Sequence, residues 1–112
     1  MPMNNFLNTL GLASRARKIV TGETLINKIR SNEVDFVIIA TDASDNTKKK
    51  LTDKCTSYNV DYIIASSINE LSKAVGKNNR VALGIQDAGF AKNLKDKIGG
   101  WNYGKTKQTF EK

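Results

Sequence analysis

An almost continuous apolar run, from Val34 to Ala40, constrains the fold of this chain more than any other feature of its sequence. The run is rich in β-branched residues and does not alternate between polar and apolar side chains. This pattern is typical of a central strand that is buried on both faces of a sheet. Because the surrounding segments alternate between helical and strand-like periodicity, the sequence predicts an α/β fold with an α/β/α arrangement.

The pattern of apolar and polar residues predicts five helices and four strands. The helices are expected over residues 3–13 and 24–30, from the loop at 42–46 to about 57, over 67–75 and from 87 to about 98, and the strands over 18–21, 34–40, 61–64 and 80–85. Ser67 and Glu70 have the spacing of a capping box, and Gly76 follows as the helix end. Asp42 and Asp87 also fall at predicted cap positions.

A length of 112 residues suits one compact domain, which we expect to cover residues 1–98. Glycines interrupt the helical pattern after residue 98, and the last residues are polar with no apolar face. Residues 91–112 carry six basic and two acidic side chains. We therefore expect residues 99–112 to form a basic, at least partly disordered tail, on which Trp101 and Tyr103 are the candidates for local docking.

The charge of the chain favours a polyanionic partner, and nucleic acid is the first candidate. The sequence has 18 basic and 11 acidic residues, a net charge of +7, which is high for so small a domain. It contains no His and only one Cys, Cys55, so it lacks the residues for a His/Cys metal site, a Ser-His or Cys-His catalytic pair or a disulfide. Cys55 is expected to be a small core residue. We expect no catalytic residues, no metal and no cofactor.

No segment of the sequence has the character of a membrane anchor. The longest apolar run, residues 36–40, is far shorter than the roughly 18 residues that suggest a membrane span. The N-terminus also lacks a charged segment followed by an apolar one, as a signal peptide would have. We therefore expect a cytoplasmic protein with no membrane partner.

Basic residues fall near the ends of predicted elements, where a sheet brings ligand-binding groups together. Arg15, Arg17 and Lys18 lead into the first strand, and residues 21–24 open the second helix, whose free N–H groups are able to bind phosphate. The equally weighted alternative is a solvated turn. The lysines at 48–50 are attributed to a solvated helix face, because consecutive helical residues point in different directions.

The segment from Gly76 to Ala82 is the second candidate site. It joins a helix to the last strand through a positively charged loop that ends in small apolar residues. Proteins often recognise RNA by holding an unstacked base on side chains while Lys and Arg contact phosphate. A plain connection between helix and strand explains the composition equally well.

Four phrases of the sequence, taken in order, resemble a known family. They are L-G-L-A-x-R-A-x-K-x-V-x-G-E from Leu10, F-V-I-I-A-x-D-A-S-x-N-T from Phe36, K-C at Lys54, and L-x-x-A-V-G-K from Leu71. Together they are similar to the YlxQ-like bacterial branch of the L7Ae/L30e ribosomal protein family over about residues 4–98. The resemblance implies an L30e-like α/β/α sandwich with a mixed four-stranded sheet. It also implies binding to kink-turn RNA.

The resemblance further implies which residues meet the RNA. In the family, a G-T-N-E-x-x-K stretch contacts the sheared G·A pairs, and the loop before the last strand holds a flipped-out nucleotide. Aligned without gaps through residues 40–42, this stretch falls on residues 21–27, where Glu23, Thr24 and Asn27 replace the family's Asn, Glu and Lys. A carboxylate has no donor for a guanine acceptor edge and repels phosphate. Kink-turn recognition is therefore a narrower hypothesis within RNA binding.

The leading hypothesis is a non-enzymatic, ribosome-associated protein that binds ribosomal or other structured RNA. Its predicted RNA-binding residues are Arg15, Arg17, Lys18, Thr21, Gly22, Glu23, Thr24, Asn27, Lys28, Lys77, Arg80, Val81 and Ala82. The rival hypothesis is a protein-interaction module that docks on a translation or ribosome-assembly factor through its basic face. The two differ in salt dependence, because only RNA binding neutralises many phosphates.

Overall fold

The computed structural model describes residues 3–98, so the predicted tail at residues 99–112 lies outside the described part of the chain. Helices and strands follow in the predicted order. They are α1 (Met3–Arg15), β1 (Ile19–Val20), α2 (Gly22–Arg30), β2 (Phe36–Ile39), α3 (Asp45–Ser57), β3 (Tyr62–Ile64), α4 (Ile68–Val75), β4 (Ala82–Ile85) and α5 (Ala88–Ile98). The strands are shorter than predicted because flanking residues of the predicted ranges, such as Lys18 and Arg80, lie outside the paired registers.

The four strands form one mixed sheet in the order β1-β4-β2-β3. Strand β2 runs parallel to β3, with Ile38 opposite Ile63, and antiparallel to β4, with Ile38 opposite Leu83. The short strand β1 pairs antiparallel with the outer side of β4. The expected mixed four-stranded sheet is confirmed.

Helices cover both faces of this sheet. Helices α1, α4 and α5 pack together on one face, while α2 and α3 pack together on the other. All four residues of β2 are fully buried, as is Ala40 after it. The predicted central strand and the three-layer α/β/α sandwich are therefore confirmed, and the predicted core residues Phe36 and Tyr62 are buried.

The predicted caps fix where the helices begin and end. The Ser67 hydroxyl accepts the Glu70 N–H, and the Glu70 carboxylate accepts the Ser67 N–H, both at 3.0 Å. Gly76 ends the helix in the left-handed region at φ 69°, and the Asp87 carboxylate accepts the Phe90 N–H at 2.9 Å. These contacts confirm the capping box and the cap at Asp87.

Asp42 caps a different helix from the one that follows it in sequence. Its carboxylate accepts the Ile68 N–H at 2.8 Å, at the start of α4. The hydroxyl of Ser44 instead accepts the Thr47 N–H at 3.2 Å and caps α3. Asp42 thereby ties the end of β2 to the start of α4. No helix among the described residues is both long and apolar enough to span a membrane.

Gly84 allows α2 to pack closely on the sheet, and Gly84→Ala is expected to destabilise the fold. An added Cβ would meet Leu25 Cδ1 and lie 3.0 Å from Val20 Cγ2. Because Leu25 is itself buried, we expect a loss of about 1–3 kcal/mol of unfolding free energy, measured by chemical denaturation. Asn93→Ala, at an exposed position of α5, is the control and should have little effect. Equal stability of both variants would show that Leu25 moves aside freely.

Candidate nucleic-acid interface

Both segments predicted to bind RNA line one groove on the protein surface. The groove has a volume of about 300 Å³ and lies between the start of α2, the first half of α3 and the residues before β4. We call it the α2–α3 groove, and it is lined by Gly22, Glu23, Leu25, Ile26, Thr47, Lys50, Leu51, Asn79, Arg80, Val81 and Ala82. Its floor is apolar and its rim carries both signs of charge, so it suits an aromatic base with a polar edge.

The start of α2 presents free backbone donors at this groove. Thr21 is the N-cap residue, but its side chain accepts no capping hydrogen bond. By contrast, side chains cap the starts of α3, α4 and α5. Gly22 has φ +65°, a conformation that favours glycine, and no atom lies within 4 Å of the place where a Cβ would stand. The first turn of α2 is therefore open to a ligand.

The loop before β4 is held by one buried residue, Ser72, through its backbone carbonyl and its hydroxyl. The N–H of Lys77 donates to the Ser72 carbonyl at 2.9 Å, and the N–H of Arg80 donates to the Ser72 hydroxyl at 2.8 Å. At the far end of the loop, the Ala40 N–H donates to the Val81 carbonyl at 2.8 Å. The loop is thus fixed at both ends, and Val81 remains exposed beside the groove.

A second cleft lies next to the groove and is rich in cations. It has a volume of about 300 Å³ and is lined by Ser14, Arg17, Ile19, Thr21, Val75, Lys77 and Arg80. We call it the cationic cleft, since three of these residues are basic and none is acidic. Arg80 lines both cavities. Within residues 3–98, no salt bridge involves any of the three cations.

The other predicted residues lie outside these two cavities. Arg15 lines a separate groove of about 600 Å³ between α1 and α4, together with the exposed Leu12. Lys18 is half-buried, and its carbonyl accepts the Gln86 N–H at 2.8 Å. Thr24 and Asn27 are exposed on α2. The structure therefore does not bring every predicted residue into a single site.

Lys28 is engaged by a neighbouring carboxylate at the end of α2. Its ammonium lies 3.0 Å from Glu33 Oε1. Hydrogen bonds from the Ser31 hydroxyl and from Lys28 lower the pKa of Glu33. The charge of Lys28 is therefore partly neutralised, which weakens its attraction for a phosphate.

Lys50 and Thr47 line the groove, although the sequence assigned the lysine run to solvent. Of Lys48, Lys49 and Lys50, only Lys50 lines the α2–α3 groove. The expectation that these three lysines point in different directions is met. Which of the three lysines faces the groove depends on the rotation of α3 against the sheet, and no local sequence pattern predicts that rotation. Sequence could have identified a cation here, but not which one.

Cys55 belongs to the core and takes no part in either cavity. It is fully buried, and desolvation, with a smaller contribution from Asp61, raises the pKa of its thiol to about 12. The thiol is therefore neutral at physiological pH and poorly nucleophilic. The predicted role of Cys55 as a small core residue is confirmed.

Comparison with known proteins decides the family. A model of the Ribosomal protein L7Ae/L30e/S12e/Gadd45 family matches residues 4–95. The chain belongs to this family. An RNA-binding protein YlxQ of Bacillus subtilis (strain 168) is 48% identical over 86 residues, covering 76% of this chain and 86% of the relative. An RNA-binding protein YlxQ of Enterococcus faecium is 45% identical over 95 residues, covering 84% of this chain and 91% of that relative. This L7Ae-family chain is thus YlxQ-like, as its sequence phrases predict.

Solved structures support the same fold for this L7Ae-family member. A protein with unknown function from Bacillus halodurans C has a TM-score of 0.80 and 41% identity, with 83% of this chain and 95% of that chain covered. The Giardia lamblia 15.5kD RNA binding protein has a TM-score of 0.69 and 22% identity, with 85% of this chain and 82% of that chain covered. At that lower identity the likeness concerns the fold alone.

The raised pKa of Cys55 predicts that its thiol is protected in the folded protein. At pH 8 the folded-state thiol should remain neutral and buried, so a disulfide reagent such as DTNB should label it only as the protein unfolds. The chain has a single Cys, so the colour change reports that position directly. Labelling in 6 M guanidinium provides the full-exposure control. Fast labelling without denaturant would contradict a closed core around α3.

Proposed function

We propose that this chain is a non-enzymatic protein that binds structured RNA, and that its α2–α3 groove holds an unstacked base. One observation carries the proposal: the open start of α2, the fixed loop before β4 and a lysine of α3 all border the same groove. Two relatives at 45–48% identity are named RNA-binding proteins. Apolar walls beside backbone donors and cations are what RNA-binding sites use to hold a base and its phosphate.

The narrower part of the proposal is that the RNA is ribosomal or contains a kink-turn, and that binding takes place in the cytoplasm. Membership of a ribosomal protein family supports this class of RNA. Glu23 remains the feature that sets this groove apart from the family's pattern, because it places a carboxylate at the rim. Arg15, Lys18, Thr24, Asn27 and Lys28 remain candidate contacts outside the groove.

Salt dependence tests this proposal against docking on a translation or ribosome-assembly factor. The measurement is titration of the full chain against a consensus kink-turn RNA and a straight duplex of matched length, at several salt concentrations. If RNA binds through its phosphates, affinity should fall steeply as salt rises, and log Kd should increase linearly with the logarithm of the salt concentration. Failure to bind either RNA at low salt would refute the proposed function and favour the protein-interaction alternative.

Lys50 and Lys49 form a matched pair for mapping the groove. Lys50→Ala should weaken binding several-fold on any RNA that fills the groove and reduce the salt slope by about one unit, since one phosphate contact is lost. Lys49→Ala removes the same charge from the adjacent position of α3. Lys49 lies 3.9 Å from Asp53 in a largely exposed pair, so its loss should change neither binding nor stability appreciably. Equal effects of the two variants would mean that only net charge matters.

Glu23→Asn tests whether the groove distinguishes a kink-turn from a duplex. The change supplies an amide that both donates and accepts, and removes a negative charge from the rim. If a base contact is regained, binding to the kink-turn should tighten by about 1–3 kcal/mol while binding to the duplex stays the same. Equal tightening on both RNAs would indicate charge alone, and no tightening would remove Glu23 from the binding surface. Thermal melts control for the favourable interaction of Glu23 with the α2 dipole, worth about 0.3–1 kcal/mol.

A further inference from the structure

Arg17 adopts a backbone conformation that disfavours its own side chain. Its φ is +61°, in the left-handed region. It follows the last turn of α1, where the Arg17 N–H donates to the Ser14 carbonyl at 3.0 Å and the Lys18 N–H to the Ala13 carbonyl at 2.9 Å. Glycine is the residue that such helix ends favour, and a side chain with a Cβ is strained there. An arginine therefore stabilises this turn less than glycine would.

The Arg17 side chain has no ion-pair partner within the described residues that would offset that strain. Arg17 is exposed and takes part in no salt bridge among residues 3–98. Three of the other described non-glycine residues with positive φ are asparagines, which tolerate this region far better. The side chain of Arg17 instead lines the cationic cleft with Lys77 and Arg80. The arrangement concentrates positive charge at the cost of local stability.

Arg80 provides an independent indication that the cleft is built for an anion. Its Nε is buried and has no hydrogen-bond partner among residues 3–98. A buried donor of a charged group is costly when it is left unpaired, and the oxygens of a phosphate, like those of a carboxylate, match the geometry of a guanidinium. The half-buried Thr21, whose hydroxyl does not cap α2, lines the same cleft. Several donors thus converge where the protein itself supplies no acidic residue.

Hydrogen bonds within the protein hold the backbone on both sides of the cleft. The Ser14 hydroxyl donates to the Val75 carbonyl at 3.2 Å, which joins the end of α1 to the end of α4. The loop that carries Lys77 and Arg80 is held by Ser72. The backbone that carries the three cations is therefore held on both sides of the cleft, and an anion between them would offset their mutual repulsion.

We propose that the cationic cleft binds one phosphate group of the RNA backbone, and that Arg17 is retained at a strained position for this contact. The inference rests on the proposed function. It adds to it a phosphate site next to the groove that holds the base, with Arg80 bordering both. The same chemistry would suit a free polyphosphate, which is the alternative source of the anion.

The decisive variant is Arg17→Gly, because it should change stability and binding in opposite directions. Relief of the left-handed strain should raise the melting temperature by roughly 2–6 °C, partly offset by the greater freedom of glycine in the unfolded chain. Loss of a phosphate contact should weaken binding to the RNA roughly five- to tenfold at 0.1 M salt and reduce the salt slope by about one unit. Arg17→Asn, which also tolerates positive φ, should reproduce the loss of binding.

Two control variants separate the effects on stability and charge. Asn59→Gly relieves the strain of a similar left-handed backbone, at φ 57°. Asn59 lies at the end of α3 and lines neither cavity. It should raise the melting temperature without altering RNA binding. Lys92→Ala removes one charge from an exposed position of α5 and should leave the salt slope almost unchanged.

The outcomes distinguish this inference from the proposed function. If the wild-type protein binds RNA and Arg17→Gly binds with the same affinity and salt slope, the phosphate site is wrong while RNA binding stands. If the wild-type protein does not bind RNA, the proposed function fails, and inorganic tripolyphosphate becomes the deciding probe. A rise in melting temperature with tripolyphosphate that depends on Arg17 would then assign the cleft to a free polyphosphate and overturn its assignment to RNA.

Discussion

The burial of β2 on both faces is the constraint on which the rest of the structure depends. A strand with no solvent-facing side requires a helical layer on each side and a strand at each edge, and these are what surround it. At one end of the central strands, Ile39 of β2 lies opposite Ala82 of β4 in the register. Ala82 also lines the α2–α3 groove, so the position of this groove follows from how the core strands pair.

Much of the fold could be predicted because its determinants are local. The order of elements follows from apolar periodicity, and the ends of α4 follow from Ser67, Glu70 and Gly76, which act within a few residues of themselves. The contact of Asp42 with Ile68 could not be predicted, since it joins positions 26 residues apart. The choice of Lys50 over its two neighbours likewise depends on how α3 rotates against the sheet.

The candidate site was only partly predictable for the same reason. Proximity to strand ends correctly brought the start of α2 and the loop before β4 together. It did not reveal that Arg15 and Arg17, two residues apart, line different cavities. The left-handed turn after α1 separates them. This turn could not be predicted, because it contains no glycine or asparagine. The net charge of the chain therefore predicts that the partner is negatively charged, but it does not predict which cavity each basic residue lines.

The two hydrogen bonds that Ser72 accepts from the N–H groups of Lys77 and Arg80 have a consequence for how quickly a ligand can be captured. Fixing a loop residue costs about 1–2 kcal/mol of backbone entropy, and here that ordering takes place during folding. A ligand that meets the loop finds it already in one conformation, so association needs no slow rearrangement and can proceed at the rate of electrostatically guided encounter. Ser72 can therefore affect the association rate without contacting the ligand, because its hydrogen bonds set the conformation of the loop.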